Sequence, residues 1–179
     1  MPSNLAMDDL IALCRGRWNL AVLEDLLTHK GARFVELLHR VGAPRDSLVR
    51  TLQALGEAGW VARNPGHGHP LRPEYVLTSE GAAIAASAAP LHAAQQKLGL
   101  APGSLSSWGM PLVSTIGSGA CRFSEISHVL SSATPRAISQ GLQTLAANDL
   151  VFREEIEGRG KNPGIYGLTT DGLYLAKAI

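Results

Sequence analysis

The chain is poor in most features that announce a function. It has no long apolar run: its longest stretches, such as Ala82 to Ala89, are short and alanine-rich, far below the roughly 20 residues a bilayer span needs. The first residues hold no basic segment followed by an apolar run, so a cytoplasmic location without a membrane partner is expected. Charge of one sign is also missing. The net charge is +1, with 10 basic and 9 acidic residues up to Lys97 and 6 of each sign afterwards. No global field therefore announces a nucleic-acid partner, and any DNA contact must rest on a local patch. No glycine-rich phosphate loop, paired-carboxylate constellation or nucleophile elbow appears. No catalytic residue is assigned, and an enzyme here would have to use a domain interface. Low-complexity stretches are absent too, and 179 residues at 45% apolar content suffice for one or two modest cores.

What the chain does have is a repeat. The first half reads Trp18, Arg33-Phe34-Val35-Glu36-Leu37, Leu48, Leu52-Gln53-Ala54-Leu55, Trp60-Val61-Ala62-Arg63, Tyr75-Val76-Leu77-Thr78 and Gly81. The second answers with Trp108, Arg122-Phe123-Ser124-Glu125-Ile126, Ile138, Leu142-Gln143-Thr144-Leu145, Leu150-Val151-Phe152-Arg153, Tyr166-Gly167-Leu168-Thr169 and Gly172, at an offset of 89 to 91 throughout. The period is too long and the copies too few for a solenoid, so each copy is expected to be a small domain. The boundaries expected are 1–99 for the first, 100–106 for a linker and 107–179 for the second. Cys14 and Cys121 fall at non-equivalent places in the repeat, which argues against a shared disulfide or metal framework and leaves two reduced thiols.

Within one copy, Leu20, Ala21, Leu23, Leu26 and Leu27 recur at helical spacing until Gly31. Phe34, Leu37, Leu38 and Val41 mark a second helix closed by Gly42. Pro44 opens a third, with Leu48, Leu52 and Leu55 on one face and Gly59 as its stop. The period then changes: Trp60 to Arg63 and Tyr75 to Leu77 are β-prone, around a turn-rich tip from Asn64 to Pro70. Thr78 caps a long helix expected to bend at Pro90. In the second copy Ser106 or Ser107 should cap a helix taking Pro111 in its first turn, Thr134-Pro135 opens the third helix, and Glu154 to Pro163 forms the hairpin tip.

Three helices and a two-stranded hairpin are the order of a winged helix-turn-helix. The pattern Trp18, Arg33-Phe34-x-Glu36-Leu37, Leu48-x-x-x-Leu52-x-x-Leu55-x-x-x-Gly59-Trp60-Val61-x-Arg63 and Tyr75-x-Leu77-Thr78-x-x-Gly81 resembles the HxlR family of bacterial transcriptional regulators. Thr134 to Leu142 is similar to that family's recognition helix. The resemblance covers about residues 14–97 and 107–179. It implies an α+β, mainly α fold of two tandem winged helix-turn-helix domains. Members are usually single domains that pair as homodimers, so two copies in one chain imply an internal pseudo-dimer, acting as a monomer or pairing again as a homodimer. Many members carry a cysteine and proline some ten residues before the tryptophan. Cys14 lies only four before Trp18 with no proline, so a redox-sensing role is not implied.

With Leu48, Leu52, Leu55 and Ile138, Leu142, Leu145 assigned to the buried face, the third helices should turn Arg45, Ser47, Arg50 and Thr51, and Arg136, Ser139, Gln140 and Gln143, outward. Arginine can bind guanine and glutamine adenine with two hydrogen bonds each, while serine and threonine suit phosphates or bases. The plain alternative is a solvated face. Arg63, Arg72, Arg153, Arg159 and Lys161 flank the hairpin tips, placed for phosphate or minor-groove contact. Arg33 and Arg122 either add a phosphate contact at a helix start or bond Glu36 and Glu125. His67-Gly68-His69 lacks a third ligand at regular spacing, so neither a metal nor a cofactor is expected. Trp18 and Trp108 begin equivalent helices. They read as core anchors, or as walls of an interdomain crevice for a small-molecule effector.

The leading reading is a transcriptional regulator that binds an imperfect inverted repeat in double-stranded DNA through two heads. The alternative is a winged-helix scaffold that binds or transforms a small molecule in the crevice without binding DNA. A third is an architectural or protein-interaction module.

Overall fold

A computed structural model describes residues 5–64, 73–155 and 164–179. The first copy runs α1 (Met7–Arg15), α2 (Asn19–His29), α3 (Phe34–Val41), α4 (Arg45–Glu57), β1 (Val61–Arg63), β2 (Tyr75–Leu77) and α5 (Ser79–Lys97). The second runs α6 (Gly109–Gly117), α7 (Phe123–Val129), α8 (Pro135–Ala147), β3 (Val151–Glu155), β4 (Gly164–Leu168) and α9 (Thr170–Ala176). Each pair of strands is an antiparallel hairpin, Val61 opposite Leu77 and Val151 opposite Leu168. The architecture is α+β, mainly α, with two tandem winged helix-turn-helix units.

The repeated residues now have physical reasons. Glu36 and Glu125 sit at the third position of α3 and α7, where their carboxylates accept the backbone amides of Arg33 (2.7 Å) and Arg122 (2.9 Å). Such a bond satisfies an amide that the helix leaves unpaired. The Arg-Phe-x-Glu signature is thus explained by the backbone of the arginine, with no bond from its guanidinium needed. Thr78 and Thr169 each accept from the amide three residues on, Gly81 at 3.0 Å and Gly172 at 3.1 Å. Their hydroxyls also donate to the carbonyls of Gly59 and Asp149, at 2.7 and 2.5 Å. One hydroxyl therefore caps a helix and ties it to the turn before the wing. Gly81 and Gly172 complete the signature: a Cβ there would lie 1.8 Å from the Trp60 carbonyl oxygen and 2.0 Å from that of Leu150. Only glycine allows this close docking of helix on hairpin.

Other boundaries shift from the expected ones. Lys30, at φ 56, takes the left-handed cap of α2, with Gly31 following at φ 117. The helix α6 starts at Gly109 after Trp108, with no side-chain cap. Ser106 instead supplies its carbonyl to the Gly109 amide at 2.8 Å, a backbone turn that delays the helix past both serines. Pro90 lies inside α5, which continues through it.

Two cores form. Leu23, Leu26, Leu37, Leu48, Leu52, Leu55 and Trp60 centre the first, and Met110, Leu112, Ile126, Ile138, Leu142, Leu145 and Leu150 the second. Two helices of the first copy feed both. From α1, Leu13 packs into the first core and Leu10 into the second; from α5, Ala85 and Ala88 join the first while Leu91 and Ala94 join the second. The elbow between α1 and α2 is held by buried Asn19, whose amide donates to the carbonyls of Leu13 (3.1 Å) and Ala12 (3.3 Å). The two units are consequently packed on each other. Among the described residues no helix is long and apolar enough to cross a membrane.

Candidate nucleic-acid interface

The outward faces of α4 and α8 follow from what their inward faces bury. On α4, Leu48, Leu52 and Leu55 are buried, leaving Arg45, Asp46, Val49, Arg50 and Gln53 exposed. Ser47 is half-buried. Thr51 is a correction: it is 7% exposed and does not belong to the outward face. The repeat register explains why, because Thr51 is the counterpart of Gly141, also buried, whose absent side chain makes room for Leu112. A small residue is needed there, not a reading one.

On α8, buried Ile138, Leu142 and Leu145 leave Arg136, Ser139, Gln140 and Gln143 exposed. Thr134 caps this helix by accepting from the Ala137 amide at 3.2 Å, so Arg136 stands in its first turn. The Arg45 guanidinium lies 5.0 Å over the Phe34 ring, which tethers α4 to α3 and limits the side chain's freedom. Gln53 bonds Glu57 at 3.0 Å along the helix. Val49, exposed and counterpart of Ser139 by register, is absent from the sequence reading because an apolar helical residue is assigned inward by default. Its methyls suit a thymine methyl.

The wings differ. Arg63 is exposed and paired with Glu74 across the first hairpin. In the second, Arg153 is followed by exposed Glu154 and Glu155, a local negative charge that disfavours phosphate. The hairpins are anchored alike, since the residue before each second helix pairs with the wing: Ala32 exchanges bonds with Tyr75, and Tyr166 donates to the Cys121 carbonyl at 2.7 Å. Arg72, Arg159 and Lys161, with His67-Gly68-His69, lie outside the described residues, among which no cluster of metal-ligating side chains occurs. Arg33 is half-buried and Arg122 exposed at the helix starts.

A crevice of about 580 Å³ opens between α1, α2, α5 and residues 100–107. Trp18 lines it. Trp108 does not, which corrects the expectation that both tryptophans face it. Trp108 packs instead against the second core, beside Gly141. Two contacts staple the walls: Glu24 with the His92 ring between α2 and α5, and Asp25, which accepts from Arg40 Nε and Nη2 at 2.7 and 2.8 Å. Cys14 also lines the crevice, and burial pushes its thiol up to about 12. The reactive thiolate is thereby kept unpopulated near neutral pH.

Comparison with curated proteins and with solved structures gave no match. A family model, HxlR-like helix-turn-helix, matches twice, over residues 13–98 and 105–179. With both wings built on the same buried signature, the chain belongs to the HxlR-like helix-turn-helix family, a family of DNA-binding transcription regulators, and carries its domain in two copies.

Proposed function

We propose that the chain regulates transcription by binding double-stranded DNA sequence-specifically, with α4 and α8 as two reading heads of one pseudo-dimer. In this reading it acts in the cytoplasm as a monomer, with domains at 1–99 and 107–179 and a linker at 100–106. The observation that carries it is the pair of outward helix faces: Arg45, Val49 and Arg50 on one, Arg136, Ser139, Gln140 and Gln143 on the other, each exposed above a buried leucine face. Arg50 and Arg136 are assigned to base edges and Arg63 to phosphate. Because the faces differ, the two half-sites should differ in sequence.

Fluorescence anisotropy with a selected inverted repeat and with random duplex, across salt concentrations, tests this. A steep fall in affinity with salt, and tighter binding to the selected site, is expected. Equal binding of both duplexes, or none at low salt, overturns it. The crevice favours a second reading, a small-molecule effector site, since interdomain clefts of about 300–1,000 Å³ are where such ligands bind. Calorimetry without DNA separates this reading from the first.

A further inference from the structure

The crevice carries more chemistry than a gap between two domains requires. Its acids are engaged: Asp25 by Arg40 and Glu24 by His92. Arg15 and Arg17, by contrast, have no carboxylate partner among the described residues, although both line it. The crevice is therefore left with unneutralised positive charge beside the half-buried apolar side chains of Trp18 and Leu20.

Arg17 is moreover held in place. Its guanidinium carbon lies 5.3 Å from the Trp18 ring centre, and its stem passes Gly103 so closely that a Cβ there would sit 2.8 Å from the Arg17 side chain. Gly103 also has φ +76, a conformation that side-chain-bearing residues rarely adopt. A cation fixed over an indole at the edge of a cleft presents its free N–H groups in a set direction, which is what recognition of a carboxylate needs. Ser104 also lines the crevice, its buried hydroxyl without a hydrogen-bond partner among the described residues.

We propose that this crevice binds one small organic anion with a flat apolar body, an aromatic carboxylate, whose ring lies against Trp18 and Leu20 and whose carboxylate meets Arg17. Arg15 adds to the attraction from the end of α1. Among the described residues α1 forms a wall of this crevice in the first copy, and the second copy shows no equivalent short helix of its own before α6, so one ligand per chain is expected. The site rests on the effector reading and not on DNA binding. Its walls come from α1 and α5, the two helices that feed both cores, so the ligand would touch the elements that fix one head relative to the other.

The test is calorimetric titration of the full chain, without DNA, using 2-naphthoate and its neutral isostere 2-naphthamide. One naphthoate per chain is expected, bound at least about tenfold more tightly than the amide, the ratio that one charge-assisted bond supplies. Arg17→Gln should weaken naphthoate by about tenfold and leave the amide unchanged, with Arg15→Gln giving a smaller loss. Both arginines are exposed, so the variants should fold, which thermal melting checks. Equal affinity for anion and amide, unchanged naphthoate binding by Arg17→Gln, or no heat at millimolar ligand overturns the proposal. If Arg17→Gln instead weakens duplex binding alone, the residue belongs to the DNA surface and the site falls, while the regulator reading stands.

Discussion

The two copies share nearly every buried position, while most of the outward positions on α4 and α8 differ. Leu48, Leu52 and Leu55 match Ile138, Leu142 and Leu145, and the Thr-x-x-Gly caps coincide to within a tenth of an ångström. Outward, Asp46 corresponds to Arg136, Val49 to Ser139 and Arg50 to Gln140. The wings diverge further, from a three-residue strand with a charge pair to a five-residue strand ending in two acids. The flanks differ most: α5 has 19 residues and α9 has 7. Packing allows few substitutions, because a misplaced methyl group in a close-packed interior is felt at once, whereas an exposed position answers only to what it touches. Equal cores and unequal faces describe one fold whose two copies differ at the surface.

The sharpest way to break this comparison is at the glycines. Gly81→Ala and Gly172→Ala each place a methyl within 2.0 Å of a backbone carbonyl oxygen, a clash that no side-chain rotation relieves. Both should lose several kcal/mol in denaturant unfolding, at the upper end of single substitutions. If one copy tolerates the change, the docking of helix on wing is not equivalent in the two. Next come Leu52→Ala and Leu142→Ala, which should each destabilise by about 2–5 kcal/mol through cavity formation. A loss under about half a kcal/mol in either would show that its helix face is not core.

On the outward faces the copies should part. Arg50→Ala and Arg136→Ala are each expected to weaken specific duplex binding by about 1–3 kcal/mol with unfolding unchanged, and each should relax preference in only one half-site. A perfectly palindromic preferred site would mean that a second chain supplies the other head. A subtler contrast lies at Thr51 and Gly141. Replacing a helix-interior glycine by alanine ordinarily stabilises by about 1 kcal/mol. A Cβ at Gly141 would lie 2.5 Å from the Leu112 side chain, so Gly141→Ala should bring no gain in melting temperature.

The smallest effect concerns acid. Backbone amides of Arg122, then Cys121, hold the Glu125 carboxyl below its ordinary value of 4.5. A carboxylate with a lowered folded value stabilises above the unfolded value, and the contribution fades as pH falls from about 4.5 toward the folded one. Glu125→Gln should therefore flatten that part of the acid-unfolding curve.

Much of this was legible in the sequence, for a physical reason: helix periodicity, caps and turn residues are local, and a repeat states each of them twice. The buried leucines of α4 and α8, the threonine caps and the wing strands all follow from spacing. Thr51 and Val49 did not, because helical spacing alone cannot tell a small inward residue from a short outward one. Register against Gly141 and Ser139 could have separated them. The crevice was legible only as a place between domains. Trp18 and Trp108 occupy equivalent positions in the sequence, yet only Trp18 lines the crevice, while Trp108 packs beside Gly141. The sequence by itself determined two winged-helix units, their cores and their threonine caps, since those rest on contacts near in the chain or repeated in it. Only the tertiary structure decided that α1 and α5 are shared between the cores and that Arg17 is pinned against Trp18 and Gly103. Those placements depend on contacts between residues far apart in the chain, where no periodicity reaches.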